Sequence, residues 1–356
     1  MICQPIRGHK HHTEGCLKMG PIRAFWPLAA LFSLVFPAAG PAPCHEWIQP
    51  EPGQPPRWGH TDGLSISLHP TPGPRGLIRL HAPHLGQSFP RVINFVSLEP
   101  VVGPRRGQSE LERSADGKPG LRFTCGDTLE QALRATQPTP TAPNRGVVEK
   151  HADHEILRLF IASERMANGA HPVVEARFDS RRPHSVTFRT LAGPDSAPMA
   201  SLVLSATMGN YARLRRVWLA KGPAHARDLW GDYRPDRLNF APWRGWKVDE
   251  LTQQDGLARV AWENDEENPA QADYATGVSP HWRYQGKKAT QLWETRAVPG
   301  LEARVNARKT YWGESGPIPG GISFENCELE APFRAGAEFT FTVTPRTPAE
   351  LGFATR

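Results

Sequence analysis

Short runs in which apolar and polar residues alternate recur along most of this chain. In residues 185–191, Val186 and Phe188 face one way while Thr187 and Arg189 face the other. A period of two is the pattern of a β-strand with one buried face. On this basis we predict strands at 64–69, 76–81, 91–98, 120–124, 155–162, 173–179, 185–191, 200–206, 214–220, 257–263, 290–295, 302–306, 322–330 and 338–344.

The residues between these runs favour tight turns over long helices. Glycine and proline together make up 68 of 356 residues, which breaks helices and joins short strands. Residues 128–136 alone have the spacing of a short helix. The pattern predicts an all-β protein, an antiparallel β-sandwich of two or more packed sheets, of either the plain or the supersandwich kind.

The first 40 residues have the pattern of an export leader. Arg23 supplies a positive charge, residues 24–36 supply an apolar run, and residues 37–40 are small. That run suits a signal peptide and is short for a membrane span. We predict a signal peptide over residues 1–40, with Met19 as an alternative start. The protein is then secreted or periplasmic, with no membrane span after cleavage.

The remaining chain divides by composition. Residues 41–58 are rich in proline, which predicts an extended arm. We predict that residues 59–346 form the β-sandwich and that residues 347–356 form a tail. The proline-rich stretch 137–146 is either a loop within one domain or a linker between two. Both interpretations stay open, and the pattern predicts no oligomeric state.

Charge and cysteine content narrow the classes of partner. The net charge of +6 falls to +3 once the four basic residues and one acidic residue of the leader are removed. A net charge this small does not indicate a surface that binds nucleic acid. Three cysteines follow the leader, and Cys125 with Cys327 is the preferred disulfide pair in an oxidising compartment. Lipid attachment at Cys44 is the weaker alternative, because the preceding prolines make a poor lipoprotein signal.

No pattern predicts a bound metal or an organic cofactor. No two cysteines lie close enough in sequence for a structural zinc site. Residues Asp265, Glu266 and Glu267 carry oxygens suited to calcium, but the flanking Asn264 and Asn268 favour a solvated turn.

The densest group of polar and aromatic residues begins at His281. It continues with Trp282, Arg283 and Tyr284. Sugars present apolar C–H faces and hydroxyl rims, so a sugar site needs flat rings and forked polar groups together. We therefore expect these residues, with Trp312 further along, to bind a carbohydrate. An ordinary edge strand is the competing interpretation.

A glutamate in the run 322–330 is the strongest catalytic candidate. Strict alternation puts Glu325 on one face with Cys327 and Leu329, and Asn326 and Glu328 on the other. A carboxyl group among apolar neighbours loses solvation, which raises its pKa and suits it to acid–base catalysis.

Two further segments carry polar residues at informative positions. Asn210 and Tyr211 follow a predicted strand and Gly209, whose freedom at positive φ lets them point into a cleft. Asn94 shares a strand face with apolar residues, so we expect it to be buried and hydrogen-bonded.

The strand at Gly321 to Phe333, followed by the strand at Glu338 to Thr344, resembles the last strands of galactose-mutarotase-like supersandwich proteins. In that family a late glutamate serves as base and a histidine as acid in sugar-ring chemistry. The resemblance implies those roles for Glu325 and His281.

Together these patterns predict an exported, carbohydrate-associated β protein. As an enzyme it would carry out epimerase-, lyase- or hydrolase-type chemistry with Glu325 and His281, while Trp282, Arg283, Tyr284, Asn210, Tyr211 and Trp312 bind the substrate. The alternatives are a non-catalytic carbohydrate- or surface-binding module and a structural protein of the cell envelope.

Overall fold

A computed structural model describes residues 46–71, 73–83, 91–134, 144–207, 213–234, 240–266, 289–310, 317–318 and 320–355, and the backbone alone for 91–93. Residues 42–356 belong to one compact unit. In this described part, no helix is long and apolar enough to cross a membrane.

Antiparallel strands dominate the described chain. In the first half they are β1 (Trp47–Ile48), β2 (Arg57–His60), β3 (Ser65–Ser67), β4 (Ile78–Ala82), β5 (Arg91–Val102), β6 (Arg105–Arg106), β7 (Phe123–Gly126), β8 (Val147–Lys150), β9 (Glu155–Ser163), β10 (Pro172–Asp179) and β11 (Ser185–Ala192). In the second half they are β12 (Ser201–Thr207), β13 (Leu214–Leu219), β14 (Gly222–His225), β15 (Arg244–Lys247), β16 (Thr252–Gln254), β17 (Leu257–Asn264), β18 (Thr290–Arg296), β19 (Glu302–Arg308), β20 (Ser323–Pro332) and β21 (Glu338–Thr344). Two short α-helices accompany them, α1 (Leu129–Arg134) and α2 (Ala226–Leu229).

The strands form two large sheets. Sheet 1 has the order β1-β2-β3-β4-β5-β12-β20-β19-β15, with β6 paired to β5. Sheet 2 has the order β14-β13-β17-β18-β21-β11-β10-β9-β7, with β16 on β17 and β8 on β9. The predicted all-β antiparallel sandwich is confirmed.

One hydrophobic core lies between the two sheets. Leu98 of sheet 1 and Phe188, Trp293 and Phe341 of sheet 2 belong to the same buried cluster. The Trp293 and Phe341 rings meet edge to face, 4.7 Å between centroids, a favoured aromatic geometry. The inner faces are thus apolar, so any polar site belongs on an outer face or at a sandwich end.

Both cysteines in this core carry free thiols, so the preferred Cys125–Cys327 disulfide is wrong. Cys125 lies on β7 at the edge of sheet 2, whereas Cys327 lies on β20 inside sheet 1. Burial raises the pKa of Cys125 to about 12 and that of Cys327 well above its usual range. Each behaves as a small apolar core residue and not as a reactive thiolate.

The two ends of the described chain are more ordered than composition alone indicates. Residues Trp47 and Ile48, in the predicted extended arm, pair with β2 at the edge of sheet 1. Near the other end, Phe353 packs in a small cluster with Trp218 and Leu292 on the outer side of sheet 2.

Candidate functional site

The outer face of sheet 1 carries polar side chains that are nevertheless buried. We call this surface the polar face and define it by residues of β5, β12, β19 and β20: Ser97, Glu99, Ser205, Arg304, Asn306, Arg308, Glu325 and Glu328. All except Arg304 are less than 9% exposed. Buried charge is costly unless it is paired or used, so this face is the candidate site.

A β-bulge on β20 brings Glu325 to the polar face. Cys327 pairs with Val305, but Phe324 pairs with Ala307, so β20 has one more residue than β19 between these pairs. Phe324, Cys327 and Leu329 consequently all face the core. The prediction that Glu325 shares a face with Cys327 and Leu329 is wrong, because the extra residue reverses the alternation.

Asparagine and threonine side chains hold this bulge in place. The Asn326 backbone N–H donates to Asn306 Oδ1 over 3.1 Å. Thr207 on β12 donates its hydroxyl to Asn326 Oδ1 over 2.9 Å. The first bond satisfies an N–H that the bulge leaves out of the regular ladder, and the two bonds together fix the backbone that carries Glu325.

Glu325 is buried beside a guanidinium group. Its Oε1 lies 3.8 Å from Arg308 Nη1, and both side chains are about 6% exposed. Burial raises the pKa of Glu325 to about 7; Arg308 opposes the rise and the charge of Glu110 adds to it. The expectation of a desolvated carboxyl group is confirmed. Near neutral pH Glu325 can both give and accept a proton.

Glu110 is a second carboxyl near Glu325, and sequence reasoning did not identify it. Burial, followed by the charge of Glu99, raises the pKa of Glu110 as well. It lies in an irregular loop after β6, where no strand or helix period distinguishes it. The available signal was the pair of acidic residues Glu110 and Glu112, four and six residues after Arg106.

Close packing fixes the loop that carries Glu110. The hydroxyl of Ser109 donates to the Gly76 carbonyl over 2.6 Å and accepts from the Leu98 N–H over 3.0 Å. Gly76 has φ +73°, and a Cβ there would lie 1.9 Å from the Ser109 carbonyl oxygen. Only glycine therefore permits this approach, which presents Glu110 from a rigid support.

Ion pairs link the rest of the polar face across four strands. Arg106 contacts Glu99 and Glu328, each over 2.6 Å, and Arg304 contacts Glu328 over 3.2 Å and Glu330 over 2.8 Å. We call these five residues the charged row. Burial, followed by the charge of Glu99, raises the pKa of Glu328, while both arginines oppose the rise. Glu99, Glu328 and Glu330 each lie within 2.8 Å of an arginine nitrogen, whereas Glu325 lies 3.8 Å from Arg308.

Aromatic side chains border the arginines of β19. The Arg308 guanidinium lies 5.0 Å from the Phe240 ring centroid, and that of Arg304 lies 5.9 Å from the Trp243 centroid. Both aromatics precede or adjoin β15, which pairs with β19 at the sheet edge. Neither was singled out from the sequence, because their segment lacks periodicity.

Of the predicted site residues, the structure describes Glu325 alone. The others lie outside the described residues: His281, Trp282, Arg283, Tyr284, Asn210, Tyr211 and Trp312. Their roles stay predictions. Asn94 is buried as expected and donates to the Thr207 carbonyl over 3.2 Å.

The acidic turn considered for calcium is engaged by basic side chains. Arg213 pairs with Glu266, Arg215 pairs with Asp265 over 2.8 Å, and His225 Nε2 lies 2.8 Å from Asp265 Oδ2. Within the described ranges, no group of three or more His, Cys, Asp or Glu side chains is arranged to hold a metal ion.

The raised pKa of Glu325 predicts a pH-dependent stability. The folded protein retains a proton from about pH 4.5, the ordinary value, to about pH 7, where the unfolded chain has lost it. The contribution of Glu325 to the free energy of unfolding is therefore greatest below pH 4.5. It falls by about 3 kcal/mol as the pH rises to 7.

Urea unfolding of the wild type, Glu325→Gln and the surface control Glu338→Gln between pH 4.5 and 8 tests this. The Glu325→Gln protein should lack that part of the fall in free energy of unfolding, and the control should keep it. The same pH slope in all three proteins would contradict the assignment.

The chain matches none of the known protein-family models and none of the curated proteins with which it was compared. The candidate site therefore stands on its own geometry, and the likeness to galactose-mutarotase-like proteins stays a prediction from the sequence.

Proposed function

We propose that this protein acts on carbohydrate by acid–base chemistry, with Glu325 as the group that transfers the proton. The observation that carries this proposal is a carboxyl group buried beside Arg308, with Glu110 nearby and a pKa of about 7. A group with a pKa close to the working pH is the most effective general acid or base.

Two carboxyl groups of different character suit reactions at a sugar carbon. In hydrolysis, one protonated carboxyl donates its proton to the glycosidic oxygen, which leaves with the electron pair of the broken C–O bond. The other carboxylate removes a proton from water as the water oxygen bonds to the anomeric carbon. Glu325, whose pKa is raised by burial and by the charge of Glu110, is our candidate for the acid, and Glu110 is our candidate for the base. Epimerisation and elimination use the same type of proton exchange.

The choice of carbohydrate as substrate rests on sequence patterns. Trp282, Arg283 and Tyr284 combine flat rings with forked donors, and His281 supplies an imidazole. We propose these residues, with Asn210, Tyr211 and Trp312, as the sugar-binding set and His281 as a further acid. The leader-like residues 1–40 support an exported protein that meets extracellular or envelope polysaccharides.

Product release from a polysaccharide panel, measured from pH 5 to 9, tests the proposal. We expect turnover of at least one member, with one limb of the rate profile centred near pH 7 where Glu325 titrates. Glu110→Gln should lower turnover, and the limb of the remaining activity should move to lower pH, because the variant lacks the negative charge that raises the pKa of Glu325. Binding without product release at any pH would refute the catalytic proposal.

A non-catalytic carbohydrate-binding module is the second candidate. The charged row favours it, since Arg106 and Arg304 already satisfy Glu99, Glu328 and Glu330 without a ligand. A face that these ion pairs hold rigid can support aromatic side chains that contact a bound sugar. The polysaccharide panel separates the two functions, because a binding module would bind a polysaccharide without releasing any product.

A further inference from the structure

Trp243 is an exposed ring on a fixed support at the edge of the polar face. Its exposed fraction is 44%, and every other Phe, Tyr or Trp among the described residues is buried or partly buried. Trp58, Trp262 and Trp293 are fully buried and Trp230 nearly so. An isolated exposed apolar residue needs no explanation by itself, so its setting has to carry the argument.

The backbone on both sides of Trp243 is held in place. The preceding Pro242 accepts a hydrogen bond from Trp230 Nε1 over 2.9 Å, and the Ala241 N–H donates to Ala307 over 2.8 Å. The following Arg244 pairs with Val305 of β19. A ring on such a backbone loses little conformational entropy when a ligand stacks on it.

Arg304 contacts the Trp243 ring and is itself fixed. Its guanidinium carbon lies 5.9 Å from the ring centroid, while its Nη2 contacts Glu328 and Glu330. The cation–π contact orients the indole and leaves part of the ring to solvent. A planar ring held in this way is what the apolar C–H face of a sugar requires.

The spacing between Trp243 and Glu325 excludes a ligand of one ring for both. Trp243 lies against Arg304 and Glu325 lies against Arg308. Arg244 pairs with Val305, so Trp243 lies at the level of Asn306 on one side of β19, and the bulge that carries Glu325 lies at the same level on the other side. Two strand spacings of about 4.8 Å therefore separate them, about 10 Å. A ligand that contacts both must extend over more than one sugar unit.

The charges between these two points favour an uncharged chain. The guanidinium groups here, those of Arg106, Arg304 and Arg308, each already contact a carboxyl group. Their partners are Glu99, Glu325, Glu328 and Glu330. A polyuronate or sulfated chain would have to displace one of these carboxyl groups to pair with an arginine, whereas a neutral chain would not.

We infer that Trp243 is a stacking platform for a remote unit of a neutral polysaccharide chain whose reacting unit lies at Glu325. This inference rests on the proposed function and narrows it. A neutral chain has no carboxylate next to the carbon that elimination, or epimerisation at a ring C–H, would deprotonate, which leaves hydrolysis or anomeric epimerisation by ring opening at a reducing end.

Calorimetric binding of two oligosaccharide series tests the inference. The probes are neutral gluco-, xylo- and manno-oligosaccharides of one to six units, and galacturonate and mannuronate oligomers of the same lengths. We expect affinity for a neutral series to rise with length, and Trp243→Ala to bind its hexamer roughly 10- to 100-fold more weakly. Trp243→Phe should keep most of the affinity, and Leu257→Ala, a similarly exposed apolar residue on sheet 2, all of it.

The outcomes separate this inference from the proposed function. Equal hexamer affinity in Trp243→Ala and the wild type, or binding of the uronate series alone, would overturn it. Turnover with no effect of Trp243 would overturn the platform and leave catalysis standing. Length-dependent binding through Trp243 without turnover would support the platform and refute catalysis.

Discussion

Glu325→Gln should lower turnover by roughly 10²- to 10⁴-fold, the usual contribution of a general acid or base. Glutamine has nearly the same shape and keeps a polar oxygen beside Arg308, but its amide neither gives nor accepts a proton near neutral pH. The bulge does not depend on the carboxyl group, because Asn306 and Thr207 hold it through Asn326. Stability near pH 7 should accordingly be retained, since the variant removes a group that is costly to ionise.

Initial rates on the best substrate of the panel, with urea unfolding of the same preparations, measure this effect. Glu338→Gln is the matched control: the same chemical change on β21 of sheet 2, where the side chain is 51% exposed and pairs with Arg177. Its rate should equal that of the wild type. Wild-type turnover in a folded Glu325→Gln protein would remove Glu325 from the mechanism.

Arg106→Met should destabilise the fold by about 3–5 kcal/mol, the range for removing one partner of a buried ion pair. Arg106 is the contact common to Glu99 and Glu328, whose side chains are only 8% and 2% exposed. Methionine keeps much of the volume of arginine but offers no donor, so two carboxylates lose their shared partner at once. The loss should shrink at acidic pH, because the folded protein can then protonate Glu328, whose pKa burial raises.

Urea unfolding at pH 5 and pH 8 measures this change. Arg181→Met is the control, because Arg181 is 52% exposed and pairs with Asp179 and Asp153 at the surface. Such pairs contribute about 0–1 kcal/mol, so the control should hardly change the free energy of unfolding. Similar losses in both variants would contradict a structural role for the charged row.

Local periodicity was enough to predict most of the strands and one helix of the fold. The predicted runs 155–162 and 185–191 correspond to β9 and β11, and Val186 and Phe188 are fully buried as the alternation requires. The helix predicted at 128–136 is α1, Leu129–Arg134. Short edge strands such as β6 and β15 were not predicted, because two to four residues hold too few positions to display a period.

The candidate site was predictable only in part. The reactive character of Glu325 followed from its position in an apolar strand, and its buried environment agrees with that expectation. The side chains that share a strand face with Glu325 could not be predicted, because one extra residue at a bulge reverses which side chains face the core. The predicted disulfide was wrong for a related reason. Apolar neighbours in the sequence indicate that a cysteine is buried, but they do not tell which sheet, or which edge of it, the cysteine occupies.

The sequence by itself determined that this chain builds an antiparallel β-sandwich and that a glutamate in a late strand loses its solvation, since both follow from side-chain alternation within one segment. Tertiary structure alone decided that Glu110 lies near Glu325, that Arg106 joins Glu99 to Glu328, and that Trp243 lies against Arg304. Those pairs come from segments far apart in the chain. Their meeting depends on the strand order and register of the whole of sheet 1, which no local pattern encodes.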